Sequence, residues 1–191
     1  MRASIVLAGV LGIAVVACAT AVPARANLIT NGGFETGDLT GWTVNDPTNY
    51  TFVSLGAFNN YGPHSGLYWA LLGAKGSPGF LSQTITDAVS ASYLVSLWFA
   101  SDGLTPNEFD VEWNGSVLYD QTNIAASNYT QLTFNVTGTG SDTLTISGQD
   151  DQGFISLDDV SVNSVPEPAS LILLGTALAG LAFIRRRRRR S

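Results

Sequence analysis

The sequence predicts an all-β protein in which two antiparallel sheets pack face to face as a sandwich. Between residues 27 and 164, short runs of alternating or β-branched residues recur, separated by Gly, Asn, Asp, Pro and Ser. Little of this region has the 3.6-residue periodicity of an amphipathic helix. Many short strands with frequent turns are typical of a β-sandwich. Asn114-Gly115 adds a hairpin signal, because both residues tolerate a positive φ.

Alternation of side chains predicts which strand faces are buried. In Glu108–Trp113 three apolar side chains alternate with three carboxylates, so we expect the apolar set to face the core. Ser92–Ala100 is apolar on nearly both faces, which predicts a central strand with its second face in a groove or under a loop. The predicted strands are Leu28–Thr30, Trp42–Asn45, Thr51–Leu55, Tyr68–Leu72, Gly79–Thr84, Ser92–Ala100, Glu108–Trp113, Ser116–Asp120, Tyr129–Val136, Asp142–Ser147 and Gly153–Val162.

The first 26 residues predict a secretory signal peptide. An arginine follows the initiator methionine, an apolar run comes next, and Ala24 and Ala26 form an A-x-A cleavage site. The predicted mature chain begins at Asn27. Two alternatives stay open: the apolar run is a first transmembrane helix, or Val15–Cys18 is a loose lipobox at which a lipoprotein is cut and acylated on Cys18.

The C-terminus contains a Pro-Glu-Pro motif, an apolar segment and a basic block. The apolar segment, Ala169–Ile184, is expected to form a single transmembrane helix of roughly 24 Å at about 1.5 Å per residue. Arginines beside such a segment stay on the cytoplasmic side, so the preceding domain is outside, in agreement with the signal peptide. The motif and basic residues are Val165, Pro166, Glu167, Pro168, Arg185, Arg186, Arg187, Arg188, Arg189 and Arg190.

These three features, in this order at the C-terminus, resemble the PEP-CTERM sorting signal of Gram-negative, biofilm-forming bacteria. The resemblance covers residues 165–191. It implies recognition by an exosortase, a membrane transpeptidase-like protease thought to cut near the Pro-Glu-Pro. It also implies transient anchoring by the C-terminal helix, followed by release to, or attachment at, the cell surface in company with exopolysaccharide.

The predicted domain, residues 27–164, is strongly acidic. It contains one basic residue, Lys75, against fourteen carboxylates, a net charge of −13, whereas the whole chain carries −6. Nucleic acid is excluded as a favoured partner because phosphate binding needs basic patches. Cations, neutral sugars or basic surfaces suit this charge, and solubility alone is the alternative explanation. Cys18, the only cysteine, lies in the signal peptide, so the mature domain has no disulfide.

Three short motifs resemble the galactose-binding-like jelly-roll domains, which include many carbohydrate-binding modules. They are Asn31-Gly32-Gly33-Phe34-Glu35, His64-Ser65-Gly66-Leu67-Tyr68-Trp69-Ala70-Leu71, and Ile155-Ser156-Leu157-Asp158-Asp159-Val160-Ser161-Val162. The resemblance spans most of residues 27–163. It implies two antiparallel sheets with the first and last strands adjacent.

Many modules of this kind carry a structural calcium ion where the chain ends meet. If the ends meet here, Glu35 lies near Asp158 and Asp159, and converging carboxylates form a hard-oxygen site that suits Ca²⁺. The resemblance therefore implies a structural calcium site at these three residues. The alternative is that Glu35 and Asp158 accept backbone N–H bonds at strand ends.

The second resemblance also implies polysaccharide binding, in which aromatic rings stack on sugars and polar side chains bind hydroxyl groups. An aromatic residue in a β-sandwich more often packs in the core than serves as a stacking surface for a sugar. The core-packing alternative stays open for every candidate. The wet face bearing Glu108, Asp110 and Glu112 is a further candidate surface. The main candidates are Trp98 with Ser96 and Tyr61 with Asn60, and Tyr119 and Tyr129 at strand ends are further ones.

Sequence motifs of enzymes are absent. No G-x-S-x-G, H-E-x-x-H or glycine-rich phosphate loop occurs, and His64 is the only histidine. A glycosidase-like carboxylate pair is the remaining catalytic alternative. The sequence favours an exported, non-catalytic module that binds polysaccharide, and the alternative is a structural or protein-interaction module of the envelope or biofilm matrix.

Overall fold

The computed structural model describes residues 26–58 and 61–166, with the single positions 177 and 185. The predicted signal peptide before Ala26 and most of the apolar tail lie outside the described residues. No helix in the described part is long and apolar enough to cross a membrane. The strands there are β1 (Thr43–Asn45), β2 (Thr51–Leu55), β3 (Tyr68–Leu72), β4 (Gly79–Thr86), β5 (Ser92–Ser101), β6 (Asn107–Trp113), β7 (Ser116–Thr122), β8 (Thr130–Thr137), β9 (Ser141–Asp150) and β10 (Ile155–Ser164).

The strands form two five-stranded antiparallel sheets. The order is β1-β4-β9-β6-β7 in sheet A and β2-β3-β10-β5-β8 in sheet B. The predicted all-β, jelly-roll sandwich is confirmed. The prediction of a strand at Leu28–Thr30 is wrong, because this segment forms no ladder. Leu28 N bonds to Val162 O of β10, whereas the backbone of Thr30 bonds to the side chain of Gln83.

The core lies between the inner faces of the two sheets. In β6, Phe109 and Val111 are fully buried, as the alternation predicted. Phe99 of β5 stacks on Phe109 from the opposite sheet, with ring centroids 4.8 Å apart and planes 5° from parallel. Burying one such side chain contributes about 1.5–3 kcal/mol, so contacts of this kind hold the sheets together without a disulfide.

The outer face of sheet B is partly covered by the connection between β2 and β3. This connection, residues 56–67, is called the covering loop, and positions 59 and 60 within it are not described. Trp69 of β3 is buried on that outer face and donates its indole N–H to Gly56 O at 2.8 Å. On β5, His64 of the covering loop stacks on Trp98, so part of the second apolar face of this strand lies under a loop, as predicted.

The N-terminal segment closes the edge of the domain against β10. Asn27 Oδ1 accepts a hydrogen bond from Val162 N at 2.9 Å, and Gly32 O accepts one from Val160 N at 2.9 Å. A Cβ at Gly32 would lie 1.9 Å from Val160 O, so only glycine permits this approach. The two ends of the domain therefore meet.

Asp87 and Asp142 form a pair of interacting carboxyl groups. Asp142 is buried and accepts hydrogen bonds from Thr139 N and Thr139 Oγ1, both at 2.7 Å, and from Asn114 Nδ2. Burial alone would raise the pKa of Asp142, but hydrogen bonds from Asp87, Asn114 and Thr139 outweigh it and hold that pKa well below its usual range. Burial and the neighbouring Asp142 raise the pKa of Asp87. As the pH falls, Asp87 therefore takes up a proton before Asp142 does.

Replacing Asp142 with Asn should lower the free energy of unfolding near neutral pH by about 1–3 kcal/mol, because the amide loses the charge and one of the two acceptor oxygens that Thr139 and Asn114 use. The folded pKa of Asp142 lies below the ordinary value of 3.8, so its stabilisation is present above that value and is lost as the pH falls through the folded pKa. Thermal melts in a pH series should show a flatter acid arm in Asp142→Asn than in the wild type. Asp120→Asn on the exposed edge strand is the control, and identical acid arms in wild type and Asp142→Asn would contradict the prediction.

Candidate functional site

A buried carboxylate holds the covering loop on sheet B. Asp158 of β10 is fully buried, and its Oδ2 accepts hydrogen bonds from the backbone N–H groups of His64 at 2.8 Å and Ser65 at 3.1 Å. Its Oδ1 accepts one from Asp159 N at 2.7 Å. Burial raises the pKa of Asp158 to about 6, although these backbone hydrogen bonds oppose the increase. Asp158 therefore fixes the position of the loop from below.

Two further carboxylates bind the same part of the covering loop from the outside. Asp159 accepts hydrogen bonds from Ser65 Oγ at 2.7 Å and is 2.6 Å from His64 Nδ1. Glu35 Oε1 accepts bonds from Leu67 N at 2.9 Å and from Tyr68 N at 3.1 Å. Residues 64–68 are therefore tied to both the N-terminal segment and β10.

The three predicted calcium ligands do come together. A Cβ placed on Gly33 would lie 3.6 Å from Asp159 Oδ1, 3.9 Å from Asp158 Oδ1 and 3.8 Å from Glu35 Cγ. All six carboxylate oxygens, however, already accept hydrogen bonds or lie against His64. Among the described residues, no group of three or more acidic, His or Cys side chains is arranged to hold a metal ion.

This donor set does not fit a calcium ion as it stands, because a cation would have to displace the N–H groups of the covering loop. The hydrogen bonds match the alternative that the sequence left open, in which Glu35 and Asp158 accept backbone N–H groups. Calcium at this position stays a prediction.

Trp98 and Ser96, two predicted sugar-binding residues, lie on the outer face of β5. The imidazole of His64 stacks on the Trp98 indole, with centroids 3.9 Å apart and planes 16° from parallel. Ser96 Oγ accepts a hydrogen bond from Gln131 Nε2 at 2.9 Å. One face of Trp98 is therefore occupied by the covering loop, and a sugar ring would have to use the rest of its surface.

Tyr61 and Tyr129 line a cleft of about 810 Å³ at the end of the sandwich. The predicted partner of Tyr61, Asn60, lies outside the described residues. The cleft is formed where four connections meet, namely the covering loop and the loops β5–β6, β7–β8 and β9–β10. Its lining is Tyr61, Gly62, Pro63, Asp102, Leu104, Asn128, Tyr129, Gln152 and Gly153.

Both tyrosine rings of the cleft are fixed through their hydroxyl groups. Tyr61 Oη donates to Ser101 O, and Tyr129 Oη donates to Gly62 O, each at 3.0 Å. Burial and the charge of Asp158 raise the pKa of Tyr129 well above its usual range. Because the hydroxyl groups are engaged within the protein, the part of each half-buried ring that remains for a ligand is carbon surface. Tyr119, by contrast, packs against core rings of both sheets.

Asp102 brings a carboxylate to the cleft, with Asp150 buried behind it. Asp102 accepts hydrogen bonds from Leu104 N at 2.9 Å and Phe154 N at 3.0 Å. Asp150 Oδ1 accepts one from Gly153 N at 2.7 Å, whereas its buried Oδ2 has no hydrogen-bond partner. Burial raises the pKa of Asp150 to about 6, and the charge of Asp102 adds to the increase.

Sequence reasoning missed Asp102, Leu104, Asn128 and Gln152. Each lies in or beside a turn-rich segment between predicted strands, where Asn, Asp and Gln are common for reasons of turn geometry alone. The only signal was the clustering of polar residues around Asp150-Asp151-Gln152-Gly153 and at Ser127-Asn128. Nothing in that pattern shows which loops share one end of the sandwich.

The wet face of β6 has the composition that alternation predicted. Glu108, Asp110 and Glu112 lie on the outer face of sheet A, where Asp110 bonds to Ser147 Oγ of β9. Burial, and then the charges of Asp110 and Asp120, raise the pKa of Glu108. This face belongs to regular strands in the middle of a sheet, and no described cleft includes it.

Comparison with known proteins identifies the C-terminal motif. Residues 164–189 match the model of the PEP-CTERM protein-sorting motif. No curated protein sequence matches the chain.

Solved structures with the same fold are mainly carbohydrate-binding modules. The structure of TmCBM61 in complex with beta-1,4-galactotriose has 20% identity and a TM-score of 0.51, and the match covers 73% of this chain and 99% of that one. A xylan-binding domain of CBM family 22 has 12% identity and a TM-score of 0.52, over 73% and 96% of the two chains. The K3 adhesin domain of Lys-gingipain from Porphyromonas gingivalis w83 has 13% identity and a TM-score of 0.54, over 73% and 99%.

At these identities the likeness establishes the fold. The described domain is a jelly-roll sandwich of the kind found in carbohydrate-binding modules, and the chain continues from its last strand into a PEP-CTERM sorting motif.

Proposed function

We propose that this protein is exported, sorted at the membrane by an exosortase, and displayed or released at the cell surface as a non-catalytic module that binds polysaccharide. The observation that carries the binding proposal is the cleft at the end of the sandwich. Its volume lies within the range of about 300–1,000 Å³ that is common for small-ligand sites.

The chemistry of the cleft suits sugars. Tyr61 and Tyr129 present fixed rings that can stack on the C–H faces of a pyranose, and Asn128, Gln152 and Asp102 supply donors and acceptors for hydroxyl groups. The sugar-binding functions of TmCBM61 and the xylan-binding domain support this proposal by analogy of fold alone.

The sorting proposal rests on the C-terminal motif. The matched segment covers the Pro-Glu-Pro, the apolar stretch and most of the arginines. The apolar stretch is short for a permanent anchor, which favours a temporary stop during processing. A role in the biofilm matrix, next to exopolysaccharide, extends this proposal.

Replacing Tyr61 with Ala should weaken polysaccharide binding about tenfold, because one stacking surface of the cleft is lost. Affinity electrophoresis of the full chain in detergent, through gels that contain galactan, xylan or the native matrix polysaccharide, measures the change. Tyr50→Ala is the matched control, because Tyr50 is an exposed aromatic residue outside the cleft lining.

Thermal melts of both variants separate lost binding from lost folding. If the wild-type chain is not retained by any of these polysaccharides, the binding proposal fails, and the structural or protein-interaction alternative is favoured. Equal retention of Tyr61→Ala and wild type would show that the polysaccharide-binding site lies outside this cleft.

The predicted calcium ion can be tested by chelation. Because the oxygens of Glu35, Asp158 and Asp159 have hydrogen-bond partners within the protein, we expect the melting temperature to stay unchanged in excess chelator. The metal content before and after treatment is measured by elemental mass spectrometry. A melting temperature that falls on removal of bound calcium, and recovers when calcium is added back, would instead support the calcium prediction.

Exosortase processing predicts a shortened mature chain. Intact-mass measurement of the protein recovered from its own cells should place the new C-terminus near Pro166–Pro168, without the arginine block. A variant in which Glu167 is replaced by Ala should retain the tail in a larger fraction of molecules. A wild-type mass that still includes Ser191 would contradict the processing proposal.

A further inference from the structure

The cleft has an unbalanced charge. Among the described residues that line it, Asp102 is the only acidic or basic residue, and the others are aromatic, aliphatic, amide or backbone groups. Asp102 is half-buried, and its two oxygens are held in place by the N–H groups of Leu104 and Phe154. A carboxylate held in this way forms stronger hydrogen bonds with a cationic group than with a neutral hydroxyl group.

Further negative charge lies behind the lining. Asp150 is buried next to Asp102 and has an oxygen with no hydrogen-bond partner. On the other side of the cleft, burial is the main cause of the raised pKa of Tyr129. The charge of Asp158 is the next cause, and the charge of Asp159 adds a smaller contribution. Asp150 beside Asp102, and Asp158 beside Tyr129, therefore add acidic groups directly behind the lining of the cleft.

Little positive charge opposes them. Lys75 is the only lysine or arginine between residues 27 and 164, and its Nζ lies 4.1 Å above the ring of Tyr50. Its charge lowers the pKa of Asp151, and Lys75 is not among the groups that shift the pKa of Asp150. His64 faces Tyr129 edge-on at 5.3 Å, but its Nδ1 is already paired with Asp159.

From this distribution we propose that the cleft selects polysaccharides that carry free amino groups, with Asp102 as the anionic partner of a sugar ammonium. The inference rests on the proposed polysaccharide-binding function. Tyr61 and Tyr129 would hold the sugar ring, while a charge-assisted hydrogen bond to Asp102 would recognise the amine. Uronic acid or sulfated polymers would be repelled, and neutral polymers would bind by stacking and hydroxyl contacts alone.

Matched oligosaccharides test the inference. The full chain in detergent is titrated at about pH 6 with a fully deacetylated pentamer of β-1,4-linked glucosamine and with its fully N-acetylated counterpart. We expect the deacetylated pentamer to bind about tenfold more tightly at low salt, and the preference to shrink as salt is added.

Two variants with the same net charge show whether Asp102 causes the preference for the deacetylated pentamer. Asp102→Asn should abolish the preference, whereas Asp120→Asn, which removes one negative charge from the exposed edge strand β7, should keep it. Thermal melts check that both are folded. If Asp102→Asn does not fold, Asp150→Asn replaces it, because the amide retains an acceptor for Gly153 N. The pKa of Asp150 is raised to about 6, so its carboxyl carries only part of a charge at this pH, and the variant should reduce the preference in part.

The possible failures are distinguishable. Equal binding of both pentamers, or binding of neither, overturns the inference. The proposed function fails separately, when the chain is also not retained by galactan, xylan or the native matrix polysaccharide. A preference that survives in Asp102→Asn, or a lysine pentamer that binds as tightly as the glucosamine pentamer, means general charge attraction and overturns the inference.

Discussion

The buried carboxylate of Asp158 is the constraint on which the candidate site depends. It lies on β10, directly opposite Trp98 of β5 in the sheet register, and it accepts two backbone N–H groups from the covering loop. Burying an ionisable group is costly unless hydrogen bonds satisfy it, so the loop and the carboxylate require each other. The stacking of His64 on Trp98 and the bond from Tyr129 Oη to Gly62 both need the loop in this position. The position of one wall of the cleft therefore depends on a single side chain of sheet B, that of Asp158.

Local patterns in the sequence predicted the sheets well. The alternation in Glu108–Trp113 is reproduced by burial of Phe109 and Val111, because a strand places successive side chains on opposite faces wherever it lies. Because β5 is apolar on nearly both faces, the sequence also correctly indicated that its second face is covered. The segment Leu28–Thr30 was misread because its apolar residues pack at a domain edge without forming a ladder. The periodicity of apolar residues indicates which face of a segment is buried, but it does not show whether the segment pairs with a neighbouring strand.

The cleft was much less accessible to sequence reasoning. Tyr61, Asp102 and Gln152 are about 40–50 residues apart along the chain, and they meet only because the topology brings four connections to one end of the sandwich. Residue type indicated Tyr61 and Tyr129 as candidates, but it gave no reason to join them to Asp102. Conversely, Glu35, Asp158 and Asp159 were correctly expected to converge. Their hydrogen-bond partners could not be assigned from sequence, because these are backbone groups of a loop whose path was unknown.

Strand β10 also determines how the domain is presented. It begins at Ile155, just after Gln152 and Gly153 of the cleft, and ends at Ser164, where the sorting motif starts. Ten residues at about 3.3 Å each place roughly 30 Å between these two points. The cleft therefore opens at the pole opposite the chain's exit. The chain therefore enters the sorting motif at Ser164 without crossing the mouth of the cleft, and the length of one strand separates the two features.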